Sequence, residues 1–305
     1  MLDYIQQVYK GKNEFWRYLI TLAVVMAPFL LNVIVFLLYP ALFEQASEQM
    51  QNMQGNKNVI LIENLIPFVI LLVVLFLFVR FLHQRSISSL ITSRTKVDWK
   101  RITFAFFFWL LISIGVIIIG VYFDAEGLVW NFKPVPFFTL LIISFLLLPL
   151  QTSLEELLFR GYLMQTLGYF AKNRWVPLIF TSALFGLMHY FNPEVEKLGA
   201  GIMVYYIGTG LLFGIVTLMD EGTEIALGMH AANNIIAATV ITSNWAAFQT
   251  DALYLDTSEP SLGWDVYLPV LIIYPIVLFI FSKKYGWNNW KRRLTGKVEE
   301  PQLIA

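Results

Sequence analysis

The sequence predicts an all-α fold: a polytopic integral membrane protein built as a helical bundle of about eight transmembrane helices. Of its 305 residues, 58% are hydrophobic and only 14% are charged, whereas soluble domains carry about 25% charged residues. Apolar runs close to the ~20 residues that span a bilayer also recur along the chain. Since no linker or internal repeat divides it, we expect residues 1–305 to form a single membrane domain.

The predicted spans follow one another with short polar connections. They cover residues 15–43, 59–82, 102–123, 136–165, 176–191, 202–219, 225–241 and 266–281. The first apolar stretch is too long for a signal peptide and lacks a small-residue cleavage site, so it is expected to be a retained helix. Trp16, Trp99 and Trp175 fall near predicted helix ends, where amphipathic rings favour the headgroup level.

The connections between spans alternate in charge. The basic residues after the second and eighth spans are Arg80, Arg85, Arg94, Lys96, Lys100 and Arg101, then Lys283, Lys284, Lys291, Arg292, Arg293 and Lys297. Alternate connections carry acidic residues such as Glu44, Asp124 and Glu194, and the short acidic loop 220–224 departs from the trend. The positive-inside rule predicts that both termini are cytoplasmic, in what we expect to be a bacterial cytoplasmic membrane. A net charge of zero argues against nucleic-acid partners.

Two adjacent glutamates and an arginine interrupt the fourth predicted span. Glu155, Glu156 and Arg160 follow an almost entirely apolar run, and a charge near the bilayer centre costs about 2.5–3.5 kcal/mol. At about 100° per residue, Glu156 and Arg160 share a helix face and can pair, whereas Glu155 points elsewhere and can face a cavity. A purely structural ion pair would leave Glu155 unexplained, so the cluster indicates a functional site.

Two histidines in the fifth and seventh spans extend this polar set. His189 follows Phe185 by four residues, and Asn234 follows His230 by four, which places His230 and Asn234 on one helix face. A single histidine in a membrane helix is more often a packed, hydrogen-bonded residue. Two histidines together with a glutamate pair favour a function instead. The third histidine, His83, is expected at a helix end near the interface.

These patterns together resemble the CPBP family of intramembrane proteases, which includes the CAAX prenyl endopeptidases and bacterial bacteriocin-processing or immunity homologues. The resemblance rests on Glu-Glu-x-x-x-Arg at 155–160, Phe-x-x-x-His at 185–189 and His-x-x-x-Asn at 230–234, in that order. It covers about 136–241, which is therefore the expected catalytic core. It implies an intramembrane endopeptidase whose catalytic residues are Glu155, Glu156, Arg160, His189, His230 and Asn234, with Glu156 and Arg160 in supporting roles.

The same residues suit peptide hydrolysis on chemical grounds. The reaction needs an activated water, a base for its proton and donors for the developing oxyanion. Glu155 and His189 suit the first two tasks, and His230 and Asn234 can both donate to an oxyanion. The sequence leaves open which glutamate is the base. With no cysteine in the chain, a cysteine nucleophile is excluded.

The sequence leaves alternatives open for the cofactor, the function and the partners. One glutamate and two histidines can form a His₂Glu zinc site, but His-Glu-x-x-His is absent, and a metal-free mechanism with glutamate-activated water is slightly favoured. A transporter or proton relay can use the same buried charges, and a non-proteolytic immunity-type membrane protein can keep the same fold. The expected partners are the lipid bilayer and a peptide or membrane-protein substrate, prenylated or not. The oligomeric state is not indicated.

Overall fold

Long apolar helices dominate the fold, as the composition predicts. The computed structural model describes residues 2–51, 55–123 and 125–301. Asp124, one of the acidic residues in the connections, lies outside the described residues. Within these ranges, the helices long and apolar enough to cross a membrane are Lys57–Leu82, Trp99–Phe123, Pro134–Ala171, Ala200–Asp220 and Val266–Tyr285. The pair Phe15–Val25 and Ala27–Leu38, bent by 66°, adds a sixth if it forms one crossing. The protein is therefore a polytopic helical membrane protein.

The predicted number of about eight crossings is not confirmed. Helices lie in all eight predicted stretches, but those in the fifth and seventh, Trp175–Met188 and Glu224–Thr239, have only 14 and 16 residues. At 1.5 Å per residue they extend about 21–24 Å, less than the ~30 Å hydrocarbon core. The fifth ends early because the chain turns at His189 and starts a new helix at Pro193.

The helices and strands are named in chain order. The helices are α1 (Phe15–Val25), α2 (Ala27–Leu38), α3 (Pro40–Gln51), α4 (Lys57–Leu77), α5 (Ser88–Ile91), α6 (Trp99–Phe123), α7 (Pro134–Glu156), α8 (Met164–Ala171), α9 (Trp175–Met188), α10 (Pro193–Leu198), α11 (Met203–Asp220), α12 (Glu224–Thr239), α13 (Trp264–Leu268), α14 (Tyr274–Tyr285) and α15 (Trp290–Thr295). Wide π-helical turns follow α4, α7 and α13 at Phe78–Leu82, Leu157–Leu163 and Pro269–Ile273, and 3₁₀ turns lie at Ile5–Lys10 and Ala200–Ile202. The strands β1 (Leu128–Trp130), β2 (Ile241–Ser243) and β3 (Tyr254–Asp256) form a small sheet of order β1-β3-β2, in which β3 is antiparallel to β1 and parallel to β2.

Close helix packing sets the relative positions of the polar residues. Helix α12 packs against α6 and α7, and α9 packs against α11. A Cβ added at Gly228 of α12 would lie 2.2 Å from the carbonyl oxygen of Ile102 on α6. At Gly186 of α9, an added Cβ would lie 2.9 Å from the backbone nitrogen of Ile207 on α11. Glycine at these positions therefore lets the helix backbones approach closely.

The acidic loop 220–224 lies at the same end of the bundle as the basic segments. Arg94 contacts Asp220 at 2.9 Å and Glu224 at 3.2 Å, and Arg101 also pairs with Asp220. The carboxylates that break the alternation of charge along the sequence are thus neutralised by the basic connection after α4.

A buried polar layer covers this end of the bundle. His83 lies at a helix end, as expected, and it is buried within the protein, with only 2% of its surface exposed. Its Nε2 is 2.8 Å from the Tyr162 hydroxyl, and its Nδ1 is 3.0 Å from the Lys12 carbonyl oxygen. Tyr4 donates from its hydroxyl to the Leu90 carbonyl at 2.5 Å. The N-terminal segment therefore packs directly against the helices.

Candidate active site

The glutamate pair lies where α7 changes into the π-helical turn 157–163. Every residue of that turn is buried, and π-helical turns inside α-helices are frequent at functional sites. A Cβ added at Gly161 would lie 3.0 Å from the Leu90 carbonyl oxygen. The Tyr4 hydroxyl also donates to the Arg160 carbonyl at 3.2 Å. The turn is therefore held from the side of α5 and the N-terminal segment.

Glu156 is the fully buried member of the pair. Its Oε1 accepts from Arg160 Nη1 at 2.9 Å and lies 2.8 Å from His230 Nδ1, and neither Glu156 nor Arg160 has any exposed surface. Arg160 also donates from Nη2 to the Gly210 carbonyl at 3.1 Å, and its guanidinium lies 4.2 Å from the Phe185 ring centroid. Arg160 and His230 thus both contact the same oxygen of Glu156 and fix its side chain in place.

Glu155 has a more open environment. Its side chain is 14% exposed, Oε1 accepts from Gln151 Nε2 at 2.5 Å, and Oε2 lies 3.5 Å from His230 Nε2. Because His230 donates from Nδ1 to Glu156, a neutral ring would turn a lone pair on Nε2 toward Glu155 Oε2. Glu155 Oε2 has no hydrogen-bond partner among the described residues. The imidazole of His230 thus stands between the two carboxylates, with Nδ1 against Glu156 and Nε2 on the side of Glu155.

His189 is held on the other side of Phe185. Its Nδ1 lies 2.8 Å from the Phe185 carbonyl oxygen, and its ring stacks on Tyr206 with centroids 4.5 Å apart and planes at 21°. The Phe185 centroid is 4.9 Å from that of His189 and 5.8 Å from that of His230. From the sequence, Glu155 and His189 are expected to activate the water and to take its proton. In the structure, His230 is the histidine beside Glu155.

Asn234 reaches the glutamates through a residue that the sequence analysis missed. His230 and Asn234 both face α7, and Asn234 Nδ2 donates to Gln151 Oε1 at 3.1 Å. Gln151 is 5% exposed and donates in turn to Glu155. The sequence does contain an indication of this contact. Gln151 is the first polar residue after the apolar run of α7 and precedes Glu155 by four residues, the spacing at which helix side chains meet.

The side chains present do not fit a catalytic zinc ion. Among the described residues, no three His, Asp or Glu side chains are grouped so that they could hold one metal. His189 and His230 direct Nδ1 to other partners, which leaves Nε2 as the nitrogen that a metal would use. His189 is not grouped with Glu155 and His230, however, so the cluster offers two neighbouring ligands where a catalytic zinc site has three. No step proposed below uses a metal.

Comparisons with known proteins bear on the family of this chain. Residues 134–236 match the protein family described as type II CAAX prenyl endopeptidase Rce1-like. The chain is also 28% identical over 271 residues to the protein named uncharacterized protein YyaK of Bacillus subtilis (strain 168), across 86% of this chain and 90% of that protein. No solved structure matches. The chain is thus a membrane protein whose segment 134–236 is similar to the Rce1-like CAAX proteases, and the family resemblance predicted from the three motifs is confirmed.

Proposed function

We propose that the protein is an intramembrane endopeptidase that hydrolyses a peptide bond with a water molecule activated by Glu155, within a catalytic core of about residues 136–241. The observation that carries this proposal is the unequal environment of two adjacent carboxylates bridged by one histidine. Glu156 is fully buried and engaged by Arg160 and His230, whereas Glu155 is partly exposed and its Oε2, 3.5 Å from His230 Nε2, has no hydrogen-bond partner among the described residues.

This inequality supports Glu155 as the general base. A base must reach the water molecule and have a lone pair to take its proton. The Glu156 oxygen that is hydrogen-bonded already accepts from a guanidinium and an imidazole, so protonation there would weaken two charge-assisted bonds. Glu155 Oε2 lies 3.5 Å from His230 Nε2 and has no hydrogen-bond partner among the described residues, so its lone pairs are free to accept a proton from water.

The proposed reaction balances with one water molecule. Glu155 takes a proton from the water, and the water oxygen forms a bond to the carbonyl carbon of the substrate while the C=O electron pair moves to its oxygen. Collapse of this tetrahedral oxyanion breaks the C–N bond, and Glu155 returns the proton to the leaving nitrogen. The products are a carboxylic acid, which keeps the second proton of the water, and an amine. His230 stands between Glu155 and Glu156 and holds the two carboxylates in place.

Two groups are suited to stabilise the oxyanion. Asn234 uses one hydrogen of Nδ2 for Gln151, which leaves its second hydrogen for a substrate oxygen. His189 uses Nδ1 for the Phe185 carbonyl, which leaves Nε2 as the ring nitrogen that can face a substrate. Preorganised donors of this kind contribute most when charge develops in the transition state.

The family match supports a substrate class, and the distribution of basic residues supports an orientation in the membrane. The family description names prenyl endopeptidases, so a prenylated C-terminal peptide is the first substrate class to test, followed by unmodified membrane peptides. Arg94 and Arg101, with the tail containing Arg293, lie at one end of the bundle together with the N-terminal segment. By the positive-inside rule this supports a cytoplasmic location of both termini in the bacterial cytoplasmic membrane.

The decisive variant is Glu155→Gln. Glutamine keeps the shape of the side chain but cannot take a proton from water, so hydrolysis should be lost while the protein inserts and unfolds at the wild-type temperature. Wild type and variant would be compared in lipid nanodiscs on a farnesylated peptide and its unmodified counterpart. In cells, sequencing of peptide termini would identify products present only with wild type.

The matched control is Glu63→Gln. Glu63 lies on the exposed surface of α4, another apolar helix, so the same chemical change there should leave turnover intact. Near-normal turnover by a folded Glu155→Gln protein would refute the proposed role of Glu155. Equal sets of peptide termini with and without the wild-type protein, together with no cleavage in nanodiscs, would refute the proteolytic function.

A further inference from the structure

A chain of four hydrogen bonds connects helix α6 with Glu155. Trp109 Nε1 donates to Asn233 Oδ1 at 3.3 Å, and Asn233 Nδ2 donates to Asn234 Oδ1 at 3.2 Å. Asn234 Nδ2 donates to Gln151 Oε1 at 3.1 Å, and Gln151 Nε2 donates to Glu155 Oε1 at 2.5 Å. Every bond runs in the same direction, with each amide accepting on its oxygen and donating from its nitrogen.

The two ends of the chain determine this direction. An indole N–H can only donate, and an ionised carboxylate can only accept, whereas an amide can be turned to do either. Trp109 therefore fixes the orientation of the Asn233 amide, and each amide then fixes the next. Without the indole donor of Trp109, nothing fixes the amide of Asn233 from that side. The Asn233 amide can then reverse.

The hydrogen-bonded chain is largely shielded from water. Trp109 and Gln151 are each 5% exposed, and Asn233, Asn234 and Glu155 are partly buried. Where water is largely excluded, hydrogen bonds in a chain polarise one another and hold side chains in one arrangement. The ring of Trp109 also packs against Tyr274 of α14, with centroids 6.0 Å apart. Trp109 lies on α6, outside the segment 134–236 that matches the family, so the family motifs do not include it.

We propose that Trp109 and Gln151 are positioning residues for the hydrolysis. Trp109 orients the amide of Asn234 so that its nitrogen faces the reaction centre, and Gln151 holds the Glu155 carboxylate in the direction of the substrate. This inference rests on the proposed proteolytic function for its chemistry, but the hydrogen-bonded chain itself is independent of that function.

The first test is Trp109→Phe, which keeps an aromatic ring for packing and removes the indole donor. We expect kcat to fall about tenfold, the typical effect of one hydrogen bond, with KM changed less than about twofold, since alignment matters most in the transition state. The matched control is Trp287→Phe. Trp287 is also buried and donates its indole N–H, to Asp220 at 3.1 Å, far from the glutamates in sequence and at the basic end of the bundle. This control should leave kcat unchanged.

A double-variant comparison tests whether the effect of Trp109→Phe on kcat passes through the hydrogen-bonded chain. In an Asn233→Ala background the connection is already broken, so Trp109→Phe should lower kcat no further. An equal tenfold loss in both backgrounds would overturn the proposal, as would an unchanged kcat in Trp109→Phe or a loss confined to KM. Gln151→Met, which keeps the length but removes both hydrogen bonds, should lower kcat more than Trp109→Phe does.

A measurement of unfolding separates this proposal from the proteolytic function. Thermal unfolding of Trp109→Phe, Gln151→Met and the double variant requires no substrate. If the double variant loses less stability than the sum of the two single losses, the residues belong to one connected network, because residues in one network are coupled. Additive losses of stability would refute the hydrogen-bonded chain even if the wild type is an active protease. A coupled chain in a protein that cleaves no substrate would refute only the proteolytic function.

Discussion

Neighbouring residues of the same type acquire different chemistry here through their surroundings. Glu155 and Glu156 are adjacent in sequence, yet Glu155 Oε2 lies 3.5 Å from His230 Nε2 without a hydrogen bond, whereas Glu156 Oε1 accepts from Arg160 and lies 2.8 Å from His230 Nδ1. A single imidazole thus contacts both carboxylates through its two different nitrogens. Helix spacing predicts the Glu156–Arg160 pair, because both residues lie on one turn. It cannot predict the His230 contacts, because they join helices that are distant in sequence.

Arg160→Ala should lower both stability and activity. Removing the guanidinium leaves Glu156 buried without its ion-pair partner, which costs about 3–5 kcal/mol. The thermal unfolding temperature in detergent should fall clearly below that of wild type, alongside turnover. Lys197→Ala is the control, because the Lys197–Glu196 pair is exposed and exposed pairs contribute about 0–1 kcal/mol. An unfolding temperature equal to wild type in Arg160→Ala would mean that the buried pair contributes nothing to the fold.

Asn234→Ala should reduce kcat by roughly 10²–10³ while KM changes little, because a donor to the oxyanion acts mainly in the transition state. Steady-state kinetics on the cleaved peptide measure both constants. A defect in KM alone would instead assign Asn234 to substrate binding.

The metal requirement is tested by removing metal from active protein. Because His189 is not grouped with Glu155 and His230 closely enough for the three to hold one ion, we expect chelator-treated protein without zinc by elemental analysis to keep its full activity. One zinc per chain, lost together with activity in His230→Ala, would contradict a metal-free site.

At the scale of helices, small residues allow the polar side chains to meet. Gly228 lies one turn before the site on α12 and faces the backbone of α6. The sequence shows glycines in apolar spans but not which of them face a neighbouring helix. Gly115 on α6 illustrates the ambiguity, since a Cβ added there would have no atom within 4 Å.

Gly228→Ala should therefore destabilise the protein, whereas Gly115→Ala should not. The added methyl group would force α12 away from α6, and overpacking of this kind costs about 1–3 kcal/mol. The site on α12 should shift with it, so turnover should fall as well. Thermal unfolding and turnover of the two variants, measured in parallel, check this. Equal behaviour of the two would show that α12 and α6 are not closely packed.

For the whole molecule, the fold class followed from composition while the crossings did not. In a bilayer every backbone polar group must be paired, which makes helices the expected form of apolar runs. The length of a run, however, does not reveal where a helix ends. Trp175–Met188 ends at the turn containing His189, although the apolar sequence continues to Phe191. Similarly, Gln151 acquires its significance only when α12 brings Asn234 against α7.

Acid should destabilise the whole molecule partly through His83. Burial lowers the pKa of His83 from 6.5 to about 4, with Arg85 and Arg17 lowering it further and Glu14 opposing them. The unfolded chain therefore takes up a proton near pH 6.5 that the folded protein resists until about pH 4. Stability should fall across this window as the pH decreases, by up to about 1.4 kcal/mol per pH unit from this residue, and should gain nothing from it above pH 7.

His83→Gln, which cannot be protonated in this range, isolates this contribution. The difference in unfolding temperature between wild type and variant should shrink or reverse as the pH falls from 7 to 4, while carboxyl groups such as Glu221, whose pKa burial raises, affect both proteins alike. Parallel curves would show that His83 is not the group responsible.

The contact of Tyr4 with the Arg160 carbonyl has a consequence for biosynthesis. Tyr4 donates to the π-helical turn beside the glutamates, and Gln6 Nε2 in the same segment donates to the Glu299 carbonyl at 2.9 Å. The second bond joins residues that are 293 positions apart, so it can form only after every helix between them has been translated. The segment that supports the turn beside the glutamates therefore reaches its final contacts after the helices that carry the three motifs have been made.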